Sequence, residues 1–198
     1  MADVHETLEH AEHAEHASHG GNKGIALLIS VLALFLALSE TLGKGAQTAG
    51  ISYNVQASDD WAFYQAKTIR MGQLQTAADT MGLISQGTTD AALKEAQAKQ
   101  IDVWRKEAAR NDDDPGRNGR KQLTEKARFS EEQRETSLAR YHNYEFASAA
   151  FQIGIVLASA TIITGMAVLA WIAGGLGVIG IAFMAIGLIA PHLIHLMG

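Results

Sequence analysis

Residues 146–198 contain no Asp, Glu, Lys or Arg. A soluble domain has no reason to avoid charge for so long, because its surface must meet water. This run excludes a plain soluble enzyme and calls for an apolar surrounding. Two spans fit inside it, 146–173 and 176–197, each long enough for the roughly 20 apolar residues a helix needs to cross a bilayer core. Gly174-Gly175, with Gly177, reads as the turn between them, which makes the pair an antiparallel helical hairpin. Pro191 falls near the end of the last span, where it frays or kinks the helix. A third apolar stretch, 24–42, carries one charge, Glu40. Its upstream flank is acidic and no small-x-small site follows, so it reads as an anchor rather than a signal peptide.

The overall mean hydropathy of +0.02 hides this division. Every lysine and arginine except Lys23 lies in the central segment, 43–145. By the positive-inside rule that segment is expected in the cytoplasm, although its length weakens the rule. Acidic and basic residues balance there, which argues against a nucleic-acid partner, since such a surface needs a basic excess. Alanine, glutamine, lysine and glutamate dominate it, all good helix formers. Three helices are expected, at about 51–85, 90–110 and 122–145, the last with no breaker before the membrane. Tyr64, Met71, Leu74, Ala78 and Met81 follow steps of seven, three, four and three, a narrow coiled-coil-like stripe. Asp90 or Thr89 can cap the second helix. Asn111-Asp112-Asp113-Asp114-Pro115-Gly116 forms a turn; its glycine and glutamate are misplaced for a calcium loop. Thin stripes bury little on their own, so these helices are expected to pack against copies of themselves or a partner.

The fold expected is therefore an all-α membrane protein: a His/Glu-rich tail over 1–23, three transmembrane helices and a long helical hairpin or coiled-coil-like extramembrane domain. The packing and oligomer residues expected are Trp61, Phe63, Tyr64, Met71, Leu74 and Met81, with Gly154 and Ala158 where helices approach closely in lipid. Ala170 and Gly174 share that spacing. The aromatic run from Trp61 to Tyr64 reads as a packing anchor before a ligand box.

The tail repeats histidine and glutamate. His10, His13, His16 and His19 stand three apart, with His5 upstream. Imidazole and carboxylate suit zinc, nickel or copper, and neighbours on a helix chelate in pairs. The alternative is a solvated tail whose histidines titrate near neutrality. His192 and His195 pose the same choice at the other terminus, and Glu40 and Gln152 are polar groups in or beside the spans. The chain has no cysteine, so disulfides, thiolate metal sites and a cysteine nucleophile are out. There is no phosphate-binding glycine loop, nucleophile elbow or HExxH. No catalysis and no cofactor are expected, the metals of the tail aside.

Two stretches are distinctive: Ala57-Ser58-Asp59-Asp60-Trp61-Ala62-Phe63-Tyr64-Gln65-Ala66-Lys67-Thr68-Ile69-Arg70, and Tyr141-His142-Asn143-Tyr144-Glu145-Phe146 leading into Gln152-Ile153-Gly154-Ile155-Val156-Leu157-Ala158-Ser159. Together they resemble a bacterial membrane-protein family known only as a domain of unknown function. The resemblance runs from the first span to the third. It implies a bacterial inner-membrane setting and brings no activity, substrate or cofactor. The function expected is structural: self-assembly, or service as a scaffold or accessory subunit, with membrane lipid, its own copies and a membrane complex as partners. The alternatives are a small oligomeric channel or transporter, and metal handling by the tail.

Overall fold

The structure is a computed structural model that describes residues 23–116 and 118–193. Its elements among these residues are four α-helices: α1 Lys23–Gln86, α2 Ala91–Asp112, α3 Arg120–Thr164 and α4 Ala167–Ile189. Three of them, α1, α3 and α4, contain stretches long and apolar enough to cross a membrane. Five hydroxyls within or at the ends of these stretches are satisfied locally. Ser30, Thr41, Ser159, Thr161 and Thr164 each donate to the carbonyl four residues back. An apolar surrounding offers no water to take that place.

Two boundaries differ from the sequence reading. No break separates the first span from the helix expected at 51; α1 runs through Gly43, Gly45 and Gly50 as one element of 64 residues. Gly43 and Gly50 are packing positions, their missing side chains facing Tyr144 Cβ at 3.5 Å and Leu138 Cδ2 at 3.4 Å. The hairpin turn also moves. It lies at Gly165, where φ is +70°, and Gly174, Gly175 and Gly177 are inside α4. Gly165 takes the left-handed conformation that ends many helices, its amide donating to Thr161 O at 2.9 Å. The second span thus ends at Thr164 rather than 173. The third is Ala167–Ile189 rather than 176–197. Pro191 stands past its end, after the Ala190 amide has closed the last turn on Ile186 O.

The chain divides into two units, with α1 and α3 contributing to both. The first takes α1 up to Gly50, α3 from Glu135, and α4. Its core is Ile29, Leu32, Leu36, Ala147, Phe151, Ile155, Ala158 and Ala173. The buried residues of α1 step by three and four. α4 turns Ala173, Gly177, Gly180 and Gly187 inward. These glycines let bulky neighbours approach the backbone, as close packing between apolar helices requires. Phe151 fills the space over Gly180 and stacks on Phe35 at 5.8 Å between centroids. Leu27, Leu34, Ile163, Trp171 and Val178 point outward and are exposed.

The second unit, Ile51–Arg134, runs α1 antiparallel first to α2 and then to the start of α3. Asp90 caps α2 by accepting from the amides of Ala92 and Leu93 at 2.9 and 3.3 Å. Its buried apolar residues are small: Ala57, Ala78, Ala108 and Ala127, with Leu123 the one larger member.

Candidate functional site

The second unit holds the densest cluster of polar and aromatic side chains. The exposed acidic turn builds its edge. Asp112 pairs with Arg120 at 3.4 Å, and Asp113 takes Lys121 at 3.1 Å and the Gln122 amide at 2.7 Å. Asp114 accepts from the Gly116 amide at 3.1 Å. Hydrogen bonds from Gln122 and Lys121 hold the Asp113 carboxyl below the ordinary carboxylate value, and the same contact raises the Lys121 ammonium. The three aspartates thereby brace the turn.

From this turn Arg120 reaches α1. Its Nη2 donates to Tyr64 Oη at 2.7 Å, its Nη1 approaches Met71 Sδ at 3.6 Å, and its guanidinium carbon lies 4.8 Å from the Tyr64 ring centroid. Only arginine offers a planar fork that both stacks and donates in this way. Trp61 meets Tyr64 edge-on at 5.5 Å and donates its indole N–H to Glu131 at 2.8 Å. About two turns nearer the start of α1, Arg134 Nη1 donates to Asn54 Oδ1 at 3.2 Å. The cluster ties α1 to α3 by direction-specific contacts where the apolar core is thin.

Of the residues expected to pack, Trp61, Tyr64, Met71, Leu74 and Met81 are half-buried on the inward side of α1. Phe63 is not among them; its side chain is 62% exposed. Gly154 and Ala158 are buried inside the first unit, Gly154 facing Leu32 and the Ala173 carbonyl. They are spent within the chain. Sequence reasoning missed Arg120 and Glu131, whose partners lie 56 and 70 residues away. It also missed the inward role of Gly180 and Gly187, whose spacing of seven was the available signal.

The first unit has polar contacts of its own. Ser39 Oγ donates to Tyr144 O at 2.9 Å in a fully buried position. Gln152 Nε2 stands 3.5 Å from Glu40 Oε1. Asn143 Nδ2 donates to Pro191 O at 3.1 Å, and His192 Nε2 lies 3.1 Å from Thr136 Oγ1. The first two join α1 to α3, and the last two fasten the residues just past α4 to α3. Among the described residues no three His, Asp or Glu side chains come together as a metal site. His10, His13, His16, His19 and His195 lie outside the described residues.

Two open grooves flank α1 in the second unit. One, of about 620 Å³, is lined by Met71, Gln75, Asp79, Arg105 and Asp112. The other, of about 580 Å³, is lined by Gln56, Asp60, Asn118, Lys126 and Phe129. Neither gathers a nucleophile with a base.

The family model for a domain of unknown function, DUF4337, matches residues 21–190. The chain belongs to this family. The match covers all four helices of the DUF4337 protein and agrees with the resemblance carried by the Trp61 and Tyr144 stretches. The family description names no activity, so it assigns no role to any side chain. No curated protein and no solved structure is significantly similar to the chain.

Proposed function

We propose that this DUF4337 protein is an integral membrane protein that works without catalysis, as a self-assembling scaffold or accessory subunit. One observation carries the reading: the second unit leaves more of its large apolar side chains exposed than it fully buries. Its fully buried apolar residues are four alanines and Leu123, and Trp61, Tyr64, Met71, Leu74 and Met81 are only half-buried, while Ile51, Val55, Phe63, Ile69, Leu83, Val103 and Phe129 are all more than half exposed. An exposed leucine or isoleucine by itself means little. Large apolar side chains outside combined with a thin buried core suit a surface that is covered in the working assembly.

In this reading α1, α3 and α4 sit in a bacterial inner membrane, and the Ile51–Arg134 unit faces the cytoplasm. Membrane lipid and further copies of the chain are the partners. No cofactor takes part, and zinc, nickel or copper at the tail histidines is a separate property. Native mass spectrometry of the gently extracted full chain tests this. A closed homo-oligomer or a fixed ratio to a foreign subunit is the expected result. A lone chain with lipid only refutes it. Metal lost on deleting residues 2–20 would assign the tail a role of its own.

A further inference from the structure

We infer that the second copy docks along α1 itself, parallel and in register, through the exposed line Val55, Ala62, Ile69, Thr76 and Leu83. The inference rests on the self-assembly reading above and names its surface.

The line has a counterpart on the same helix. Ala57, Tyr64, Met71, Ala78 and Ser85 also step by seven, and each is buried or half-buried, Tyr64 and Met71 against Arg120 of α3. A repeat of seven drifts slowly around an α-helix, by about 20° per repeat. A helix that holds one such line against a partner along its length carries the opposite line at the same drift. Val55, Ala62, Ile69, Thr76 and Leu83 are that opposite line, and all five are exposed. The second unit's part of α1 has six exposed large apolar residues, and five of them, Ile51, Val55, Ile69, Leu83 and Ile84, fall within about 60° of one direction at roughly 100° per residue. Phe63 alone lies outside that sector.

Charge selects the occupant. Asp59, Asp60, Lys67, Arg70 and Asp79 all fall outside the sector. Two copies inserted in one membrane have the same sense, so their α1 helices run parallel. In a parallel two-fold pair each central residue meets its own counterpart. A charge there would face an identical charge and repel it. A line free of charge over its whole length is what a self-pairing parallel helix requires. A foreign partner imposes no such rule and would be read by complementary charges instead.

The test uses the natural absence of cysteine in the full chain. Single cysteines replace Ala62, Ile69 or Thr76 on the line, and Phe63 or Arg70 beside it, all at exposed sites. A disulfide needs Cα atoms about 4.4–6.8 Å apart, a separation that only central positions of a parallel pair reach. The expected result is a disulfide-linked species at twice the 21.2 kDa chain mass for Ala62→Cys, Ile69→Cys and Thr76→Cys, and none for Phe63→Cys or Arg70→Cys. Ile69→Glu should separate the copies, while Arg70→Glu leaves them together. A native oligomer whose cross-links are absent from the line, or equal at all five sites, overturns this inference and leaves self-assembly standing. An oligomer that survives Ile69→Glu does the same. A monomer in native mass spectrometry overturns both.

Discussion

Replacing Gly180 with alanine tests the packing of the apolar unit and the placement of its turn together. A Cβ at position 180 would lie 2.6, 2.7 and 2.9 Å from three atoms of the Phe151 ring. Carbon atoms rest at about 3.5–4.0 Å, so the overlap approaches an ångström. The ring cannot swing away, because Phe151 is 0% exposed and stacked on Phe35. Overpacking of this kind costs about 1–3 kcal/mol. Alanine returns about 0.5–1 kcal/mol of helix propensity over glycine, so the net loss is about 0–2.5 kcal/mol. Gly175 is the control. Nothing lies within 4 Å of its missing Cβ, so Gly175→Ala should be neutral or gain about 0.5–1 kcal/mol. Unfolding of the detergent-solubilised chain by SDS, followed by far-ultraviolet circular dichroism, ranks the two variants. Phe151→Leu should lessen the penalty of Gly180→Ala, giving a coupling of about 0.5–3 kcal/mol in a double-mutant cycle. If Gly175→Ala proves the more damaging variant, the glycine pair is the turn and the seating of α4 is wrong.

The same unfolding assay serves the remaining predictions. Gly165→Ala forces a Cβ onto a left-handed residue (φ +70°) and should cost about 1–2 kcal/mol. Asp90→Ala removes the acceptor for two amides at the start of α2 and should cost about 0.5–2 kcal/mol; unchanged stability would mean the cap is idle. Arg120→Lys keeps the charge and loses the stacked fork on Tyr64, with an expected cost of about 0.5–2 kcal/mol. For pH, the lowered Asp113 carboxyl contributes stability above the ordinary carboxylate range, and loses it as pH falls through its depressed value. The raised Lys121 ammonium contributes below the ordinary lysine value and loses it as pH rises past its elevated one. The turn should thus be insensitive to pH between about 5 and 9. A transition near neutrality, read by fluorescence of the Trp61 and Trp104 neighbourhood, would refute that pairing.

What the sequence makes legible follows from the range of the interaction. Helix type, the three apolar stretches and the inward seam through Tyr64, Met71 and Ala78 are set by periodicity within one segment. The cap at Asp90 and the acidic turn are equally local. Glycine is where local reasoning fails, because its meaning depends on what stands opposite. Gly174-Gly175 looks like a turn by composition, yet an apolar helix tolerates both. Gly165 carries the turn although its flanks, Thr164 and Met166, give no turn signal. Gly43 and Gly50 look like breakers between the first span and the next helix, and are close-approach points once α3 lies against them. The Arg120–Tyr64 and Trp61–Glu131 contacts cross 56 and 70 residues, and no pattern within one helix records them.

The two units also differ in what they ask of their surroundings. The first has large side chains inside, glycines where helices meet, and hydroxyls closed on backbone carbonyls, those of Ser30, Thr41, Ser159, Thr161 and Thr164 on their own helix and that of Ser39 on α3. It is complete once an apolar medium covers Leu27, Ile163 and Trp171. The second fully buries little beyond alanine and Leu123 and is held by directional contacts around Arg120 and Trp61, which fix register without burying much area. Burial stabilises by roughly 25 cal/mol per Å² of apolar surface, and so thin an interior supplies little of it. Polar contacts specify geometry and each add only about 1 kcal/mol. A unit built this way has a defined shape and a small reserve of stability, and it leaves Ile51, Ile69 and Leu83 available. Covering them would supply the burial that its interior lacks. On this argument the fold of the second unit and its assembly are one process. Ile69→Glu should therefore lower its thermal stability as well as its copy number, whereas the same substitution at Arg70 should change neither.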